Sequence, residues 1–167
     1  NWHIKASNED YFSKFVFEYL AFTAYLKRKK FNNTRGNRRP IQQLKRDKLV
    51  KAQYLKKINE SLEAWQKIKA ELDSVPLLDM NEDGMEVKEI EWWNYSGDEL
   101  DQKTESVEDI GVIRSLDDWE NMVEFWYSIR NNLFHGGKNP QDERDELLVK
   151  NGYKNLQPLV EIIISSN

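Results

Sequence analysis

Apolar residues recur at three- and four-residue steps in four stretches of this chain, the spacing that turns one face of a helix toward a core. Residues 8–30 form the first stretch, with Asn8 as the predicted cap, Glu9 and Asp10 in the first turn and Lys27 to Lys30 in the last. Phe12, Phe15, Val16, Tyr19, Leu20 and Thr23 keep the spacing, while Phe17, Phe22 and Tyr25 widen the stripe. Burial on more than one face is therefore expected. Residues 44–72 read as a second helix, with Leu55, Ile58, Leu62, Trp65, Ile68 and Leu72 in register. A third spans 117–134, opened by Ser115 or Asp117, with Trp119, Met122, Val123, Trp126, Ile129 and Leu133 on its apolar stripe. Gly136 and Gly137 follow where a left-handed residue closes a helix. The fourth runs from Asp142 to Ile164, and Gly152 and Pro158 are expected to kink or divide it.

The segments between these helices differ in kind. Residues 31–43 carry Asn, Gly and Pro without a period and read as a basic loop. Residues 76–115 are acidic and weakly periodic, a long excursion with room for one short helix. Trp92, Trp93 and Tyr95 read as a satellite apolar cluster pinning that excursion, with base stacking as the alternative. The acids at 79–91 lack the histidines or calcium-loop spacing of a metal site and read as a solvated face. No repeat appears and nothing reads as a sheet. The expectation is one all-α domain over residues 1–167, a bundle of four to five helices with the acidic excursion between the second and third main ones.

Composition narrows the function classes. The chain has no cysteine, which removes disulfides, thiolate metal sites and a cysteine nucleophile, and suits a reducing cytoplasm. No apolar run is long enough to span a bilayer and none reads as a signal peptide, so the expected location is cytoplasmic, with no membrane partner. The net charge of −4 hides a strong segregation. Lys27 to Lys57 holds 13 Lys/Arg against one acid, and Glu60 to Glu124 holds 20 Asp/Glu against five Lys/Arg. That polarity implies either a basic surface for a polyanion or complementary faces that meet in assembly. Arg38, Arg39, Lys45, Arg46 and Lys138 are the candidate RNA contacts, with Arg38 and Arg39 on the predicted loop foremost.

The chain has two histidines. His3 reads as a surface residue near a terminus. His135 stands at the junction of the third helix and its glycine turn, in SIRNNLFHGGK. Helical projection places Arg130 at the edge of the core stripe, and Asn131 and His135 together on a face roughly opposite the core. Local sequence leaves two readings for His135: a cation favoured by the helix dipole, or a functional imidazole.

Arg130-Asn131-Asn132-Leu133-Phe134-His135 resembles the signature of HEPN domains, which is Arg, a polar residue, three further residues and His. The Gly-Gly-Lys after it, the ERDELL stretch from Glu143 to Leu148 and the aromatic first helix are similar to bacterial members of that family. Residues 76–115 have no counterpart. The resemblance implies a helical bundle that forms a homodimer and brings two motifs to one cleft. It also implies metal-independent cleavage of RNA through attack by the ribose 2′-hydroxyl, without a cofactor, in a toxin or phage-defence effector with an antitoxin or defence-system partner. Arg130, Asn131 and His135 would be the catalytic set. His135 has an intrinsic pKa suited to proton transfer, Arg130 a forked permanent cation for phosphate oxygens, and Asn131 an amide to orient the phosphate or His135. Other members of the family are catalytically silent and bind RNA or nucleotides or mediate dimerisation, which is the alternative expectation.

Overall fold

The first helix, α1 (Tyr11–Tyr25), begins later than the pattern predicts, because Asp10 supplies the cap by accepting from the Phe12 and Ser13 N–H groups. It continues as a π-helical turn, Leu26–Lys30. The computed structural model describes residues 3–4, 10–31, 36–77, 79–80, 86–87, 111–136 and 138–166. The sequence readings at Trp92, Trp93, Tyr95 and most of the acidic excursion lie outside them.

Residues 31–43 are not wholly a loop: α2 (Arg38–Arg46) forms there. Pro40 occupies the third position of this helix, where a missing N–H forfeits no intrahelical bond. The expected single helix over 44–72 is two helices, α3 (Lys48–Ile58) and α4 (Glu63–Ser74). Asp47 caps α3 through the Leu49 and Val50 N–H groups, and its second oxygen lies 3.0 Å from Lys30 Nζ. Both halves keep their predicted apolar side inward, with Ile58, Trp65, Ile68 and Leu72 buried.

Two strands of two residues each, Asp79–Met80 (β1) and Glu86–Val87 (β2), pair antiparallel, Asp79 opposite Val87. That small ladder is the one departure from helix among the described elements. The base of the excursion is tied: the Leu77 N–H donates to the Gly111 carbonyl at 2.9 Å, and Leu77 and Ile113 are buried.

α5 (Trp119–Phe134) and α6 (Glu143–Ser165) complete the bundle. Trp119, Met122, Val123, Trp126 and Ile129 are buried as their spacing predicts. Asn121, Glu124, Phe125, Ser128 and Asn132 are buried too, so α5 is enclosed on nearly every side. Asp118 stands at its N-terminal cap position without a side-chain cap bond, its carboxylate accepting instead from the Arg114 N–H and Asn121 Nδ2.

α6 is neither broken at Gly152 nor ended at Pro158. Gly152 serves packing: a Cβ there would sit 3.2 Å from the Phe125 ring and 3.4 Å from Phe15. Its bare backbone lets α1 and α5 approach α6, and its carbonyl accepts from Trp126 Nε1 at 3.1 Å. α1 packs most extensively on α6, and α4 packs on α6 beside it. Tyr54, Trp65, Trp119 and Trp126 pack ring against ring between them. A chain of buried hydrogen bonds runs from Trp65 Nε1 to the Tyr54 hydroxyl and on to the Asn155 carbonyl. The Trp65 and Tyr54 donors of this chain are both satisfied, whereas the buried Asn155 side-chain Nδ2 has no partner among the described residues.

His3 is not simply a surface residue. Its Nδ1 lies 2.7 and 2.9 Å from the two carboxylate oxygens of Glu18, which is fully buried on α1. Burial raises the Glu18 pKa and the contact with His3 opposes that rise. Among the described residues no helix is long and apolar enough to cross a membrane.

Candidate functional site

Arg130 and Asn131 lie in the last turn of α5, and His135 is the residue that ends it. The turn closes because Gly136 adopts φ +74°, a left-handed conformation that a side chain would strain. The Arg130 Nη1 donates to Asn131 Oδ1 at 2.9 Å, and the Arg130 guanidinium lies 4.4 Å from the centre of the Phe134 ring. The same stretch of helix therefore holds the guanidinium from two directions. Among the described residues its remaining N–H groups have no other acceptor.

His135 is half-buried, and its backbone N–H donates to the Asn131 carbonyl at 2.9 Å. Its ring takes no hydrogen bond or ion pair among the described residues. Side-chain capping of the helix thus does not account for it, although a general attraction to the helix C-terminus remains. Arg130 and Asn131 are likewise half-buried. The structure thus brings Arg130 to Asn131 and sets His135 one turn further along the face that carries Asn131.

Along the side of α5 that carries the motif, burial falls toward the helix end among the described residues. Glu124, Ser128, Asn131 and His135 fall along one side of the helix. Over its first half that side is covered by α2, and Glu124, 1% exposed, takes two cations there. Arg38 binds it with both guanidinium Nη atoms, one at 2.7 Å, and Lys45 Nζ lies 2.8 Å away. Arg38 also stacks on Tyr127, 4.8 Å from the ring centre.

The basic residues chosen from sequence are accordingly divided. Arg38 and Lys45 turn inward to Glu124, and Lys138 Nζ is held 2.6 Å from Asp145 with little exposure. Arg39 and Arg46 stand exposed on α2. Internal neutralisation explains the difference: a buried carboxylate needs cations, and the basic segment supplies them. Part of the segregated charge is therefore used within the chain.

Sequence reasoning missed the cavity beside Arg130. About 230 Å³ in volume, it opens between α1 and α5. Tyr19, 4% exposed, and Thr23 line its α1 side, Tyr127 and Phe134 join Arg130 on α5, and Lys27 and Asn37 close one end. Burial pushes the Tyr19 phenol well above its ordinary pKa, with the Tyr127 phenol adding to the rise and Arg130 opposing it. Tyr19 is thus a neutral hydroxyl across the working pH range. The signal available in the sequence was the excess of aromatic residues on the first helix over what one core face needs.

Among the described residues no group of three or more His, Asp or Glu side chains is arranged to hold a metal ion. Searches of protein-family models, of curated proteins and of solved structures find no match to this chain.

Proposed function

We propose that the chain is a HEPN-like endoribonuclease that cleaves RNA by 2′-hydroxyl attack, with Arg130, Asn131 and His135 as its catalytic set. The observation that carries this reading is the end of α5, where Arg130 is oriented by Asn131 while the His135 ring has no structural partner among the described residues. A fixed cation and an uncommitted imidazole carried by the same helix end suit phosphate-ester cleavage. The guanidinium offsets charge on the phosphorane, and the imidazole moves the proton. Incubation with labelled total RNA and transfer RNA is expected to give discrete fragments; intact RNA under all conditions would overturn the proposal.

Cleavage through a cyclic phosphate needs one proton removed and one delivered, and each chain offers one imidazole at the site. The reading therefore includes a homodimer in which two motifs face one cleft. Mixing wild type with His135→Ala under full subunit exchange tests it. An equal mixture should keep about a quarter of the activity if both imidazoles serve one site, because random pairing leaves that share of intact dimers. Retention of about half would mean that each chain carries a complete site.

A toxin or phage-defence effector with a cognate partner is the biological setting that this activity fits. The inward pairing of Arg38, Lys45 and Lys138 favours a second reading, a catalytically silent module that binds RNA weakly or mediates dimerisation. Arg39 and Arg46 separate an RNA-tracking surface from ordinary solvated charge. Reversing both to Glu should weaken RNA binding and flatten its salt dependence while leaving the cleavage products unchanged, since backbone contacts are salt-sensitive and blind to sequence. An unchanged salt slope would remove α2 from the RNA path. Arg38 is unsuitable for this test, because a glutamate there would face the buried Glu124.

A further inference from the structure

The cavity between α1 and α5 has a polar floor without a partner. Tyr19 is buried to more than nine-tenths, yet its hydroxyl makes no hydrogen bond among the described residues. A buried phenol ordinarily finds an acceptor or donor, so one left open toward a cavity marks a place for a ligand atom. Lys27 Nζ donates to Asn37 Oδ1 at 2.6 Å, which fixes that amide's oxygen and leaves its N–H₂ to donate elsewhere. The hydroxyl hydrogen of Thr23 is already committed to the Tyr19 and Leu20 carbonyls. The polar lining is therefore weighted toward donors: Tyr19 O–H, the Asn37 amide and the Lys27 ammonium. Tyr127 and Phe134, the latter 58% exposed, add aromatic surface, and Arg130 joins the cavity to the proposed site.

We propose that this cavity is a base-selective subsite, which takes the guanine or uracil beside the scissile phosphate of single-stranded RNA. A planar base fits the chemistry of the walls. Its faces meet aromatic rings, as in sequence-tolerant single-strand binding, and its edge meets the donors of the floor. Guanine offers O6 and N7 as acceptors, and uracil offers its carbonyl oxygens. Where guanine carries O6 and uracil O4, adenine and cytosine carry an amino group, which would face the Asn37 and Lys27 donors with another donor. The volume, about 230 Å³, is below that of pockets for drug-sized ligands and suits one ring system with its sugar left outside. The phosphate attached to that sugar would then fall on Arg130.

This inference takes its substrate from the ribonuclease reading, and two measurements keep their failures apart. The first is binding of the four nucleoside 3′-monophosphates to His135→Ala protein, by calorimetry at low salt. Guanosine and uridine 3′-monophosphates should bind about fivefold more tightly than the other two, the effect of one or two matched hydrogen bonds. Tyr19→Phe should erase that difference, and Phe134→Ala should weaken all four by about tenfold, as loss of a stacking face does. Tyr19→Phe removes only a hydroxyl with no bond to the described fold, so an unchanged melting temperature checks that the cavity persists. Equal binding of all four nucleotides, selectivity that survives Tyr19→Phe, or no binding would overturn the subsite.

The second measurement maps cleavage positions in a random-sequence RNA pool. Wild type should show guanine or uracil enriched beside the cut, and the cuts that Tyr19→Phe makes should lose that enrichment. Cleavage with an identical base distribution in both proteins sinks the subsite and leaves the ribonuclease standing. Absence of cleavage, with Tyr19-dependent nucleotide selectivity retained, does the reverse.

Discussion

Replacing His135 or Arg130 by alanine is expected to abolish RNA cleavage while leaving the protein folded. A positioned general acid–base contributes about 10²–10⁴-fold to a rate, so His135→Ala should fall to the assay background. Arg130→Ala removes the cation that offsets phosphorane charge, with a loss of the same order. Neither side chain belongs to the buried core: both are half-exposed, and the His135 ring is bonded to nothing among the described residues. Melting temperature and helical circular dichroism should therefore stay near wild type. Full cleavage by His135→Ala would remove the imidazole from the mechanism. A collapse of the fold in the same variant would instead assign His135 to the helix end.

The second large effect concerns stability. Glu124→Ala leaves Lys45 buried and Arg38 half-buried without the carboxylate that neutralises both. Removing one partner from a buried charge cluster costs about 3–5 kcal/mol, because the ions left behind stay desolvated. Urea unfolding should show that loss as a lower midpoint with a similar slope. Replacing Glu124 and Lys45 together by Met should restore most of it, since apolar residues of like volume need no counter-charge. A loss below about 1 kcal/mol in the single variant would mean that water reaches the cluster and screens it.

The same cluster shows where the sequence stops being informative. α5 and the C-terminal helix were legible because their stripes are long and their ends carry capping and turn residues, Asp142 and Gly136 among them. α2 was hidden because Pro40, read as a breaker, falls in a first turn that tolerates it. The break between α3 and α4 was hidden because Ile58, Leu62 and Trp65 keep helical spacing across it, so the apolar pattern runs on through a turn.

Within the site, Arg130, Asn131 and His135 could be grouped from sequence because one helix carries all three. The pairing of Arg38 with Glu124 joins residues 86 apart, and no local pattern announces such a contact. The Tyr19 cavity is likewise a product of α1 meeting α5. Arg38, Lys45 and Lys138, three basic residues that looked available for RNA, therefore proved to be counter-ions, and an aromatic that looked like core proved to line a cavity.

The most direct test is the chemistry of the cut ends. The proposed mechanism makes the 2′-hydroxyl the nucleophile and the 5′-oxygen the leaving group, with protons moved by His135 and charge offset by Arg130. Labelled RNA cleaved by the purified protein in excess chelator should end in a 2′,3′-cyclic phosphate on one side and a 5′-hydroxyl on the other. A 3′-hydroxyl product, or activity lost in chelator and restored by magnesium, would contradict the account.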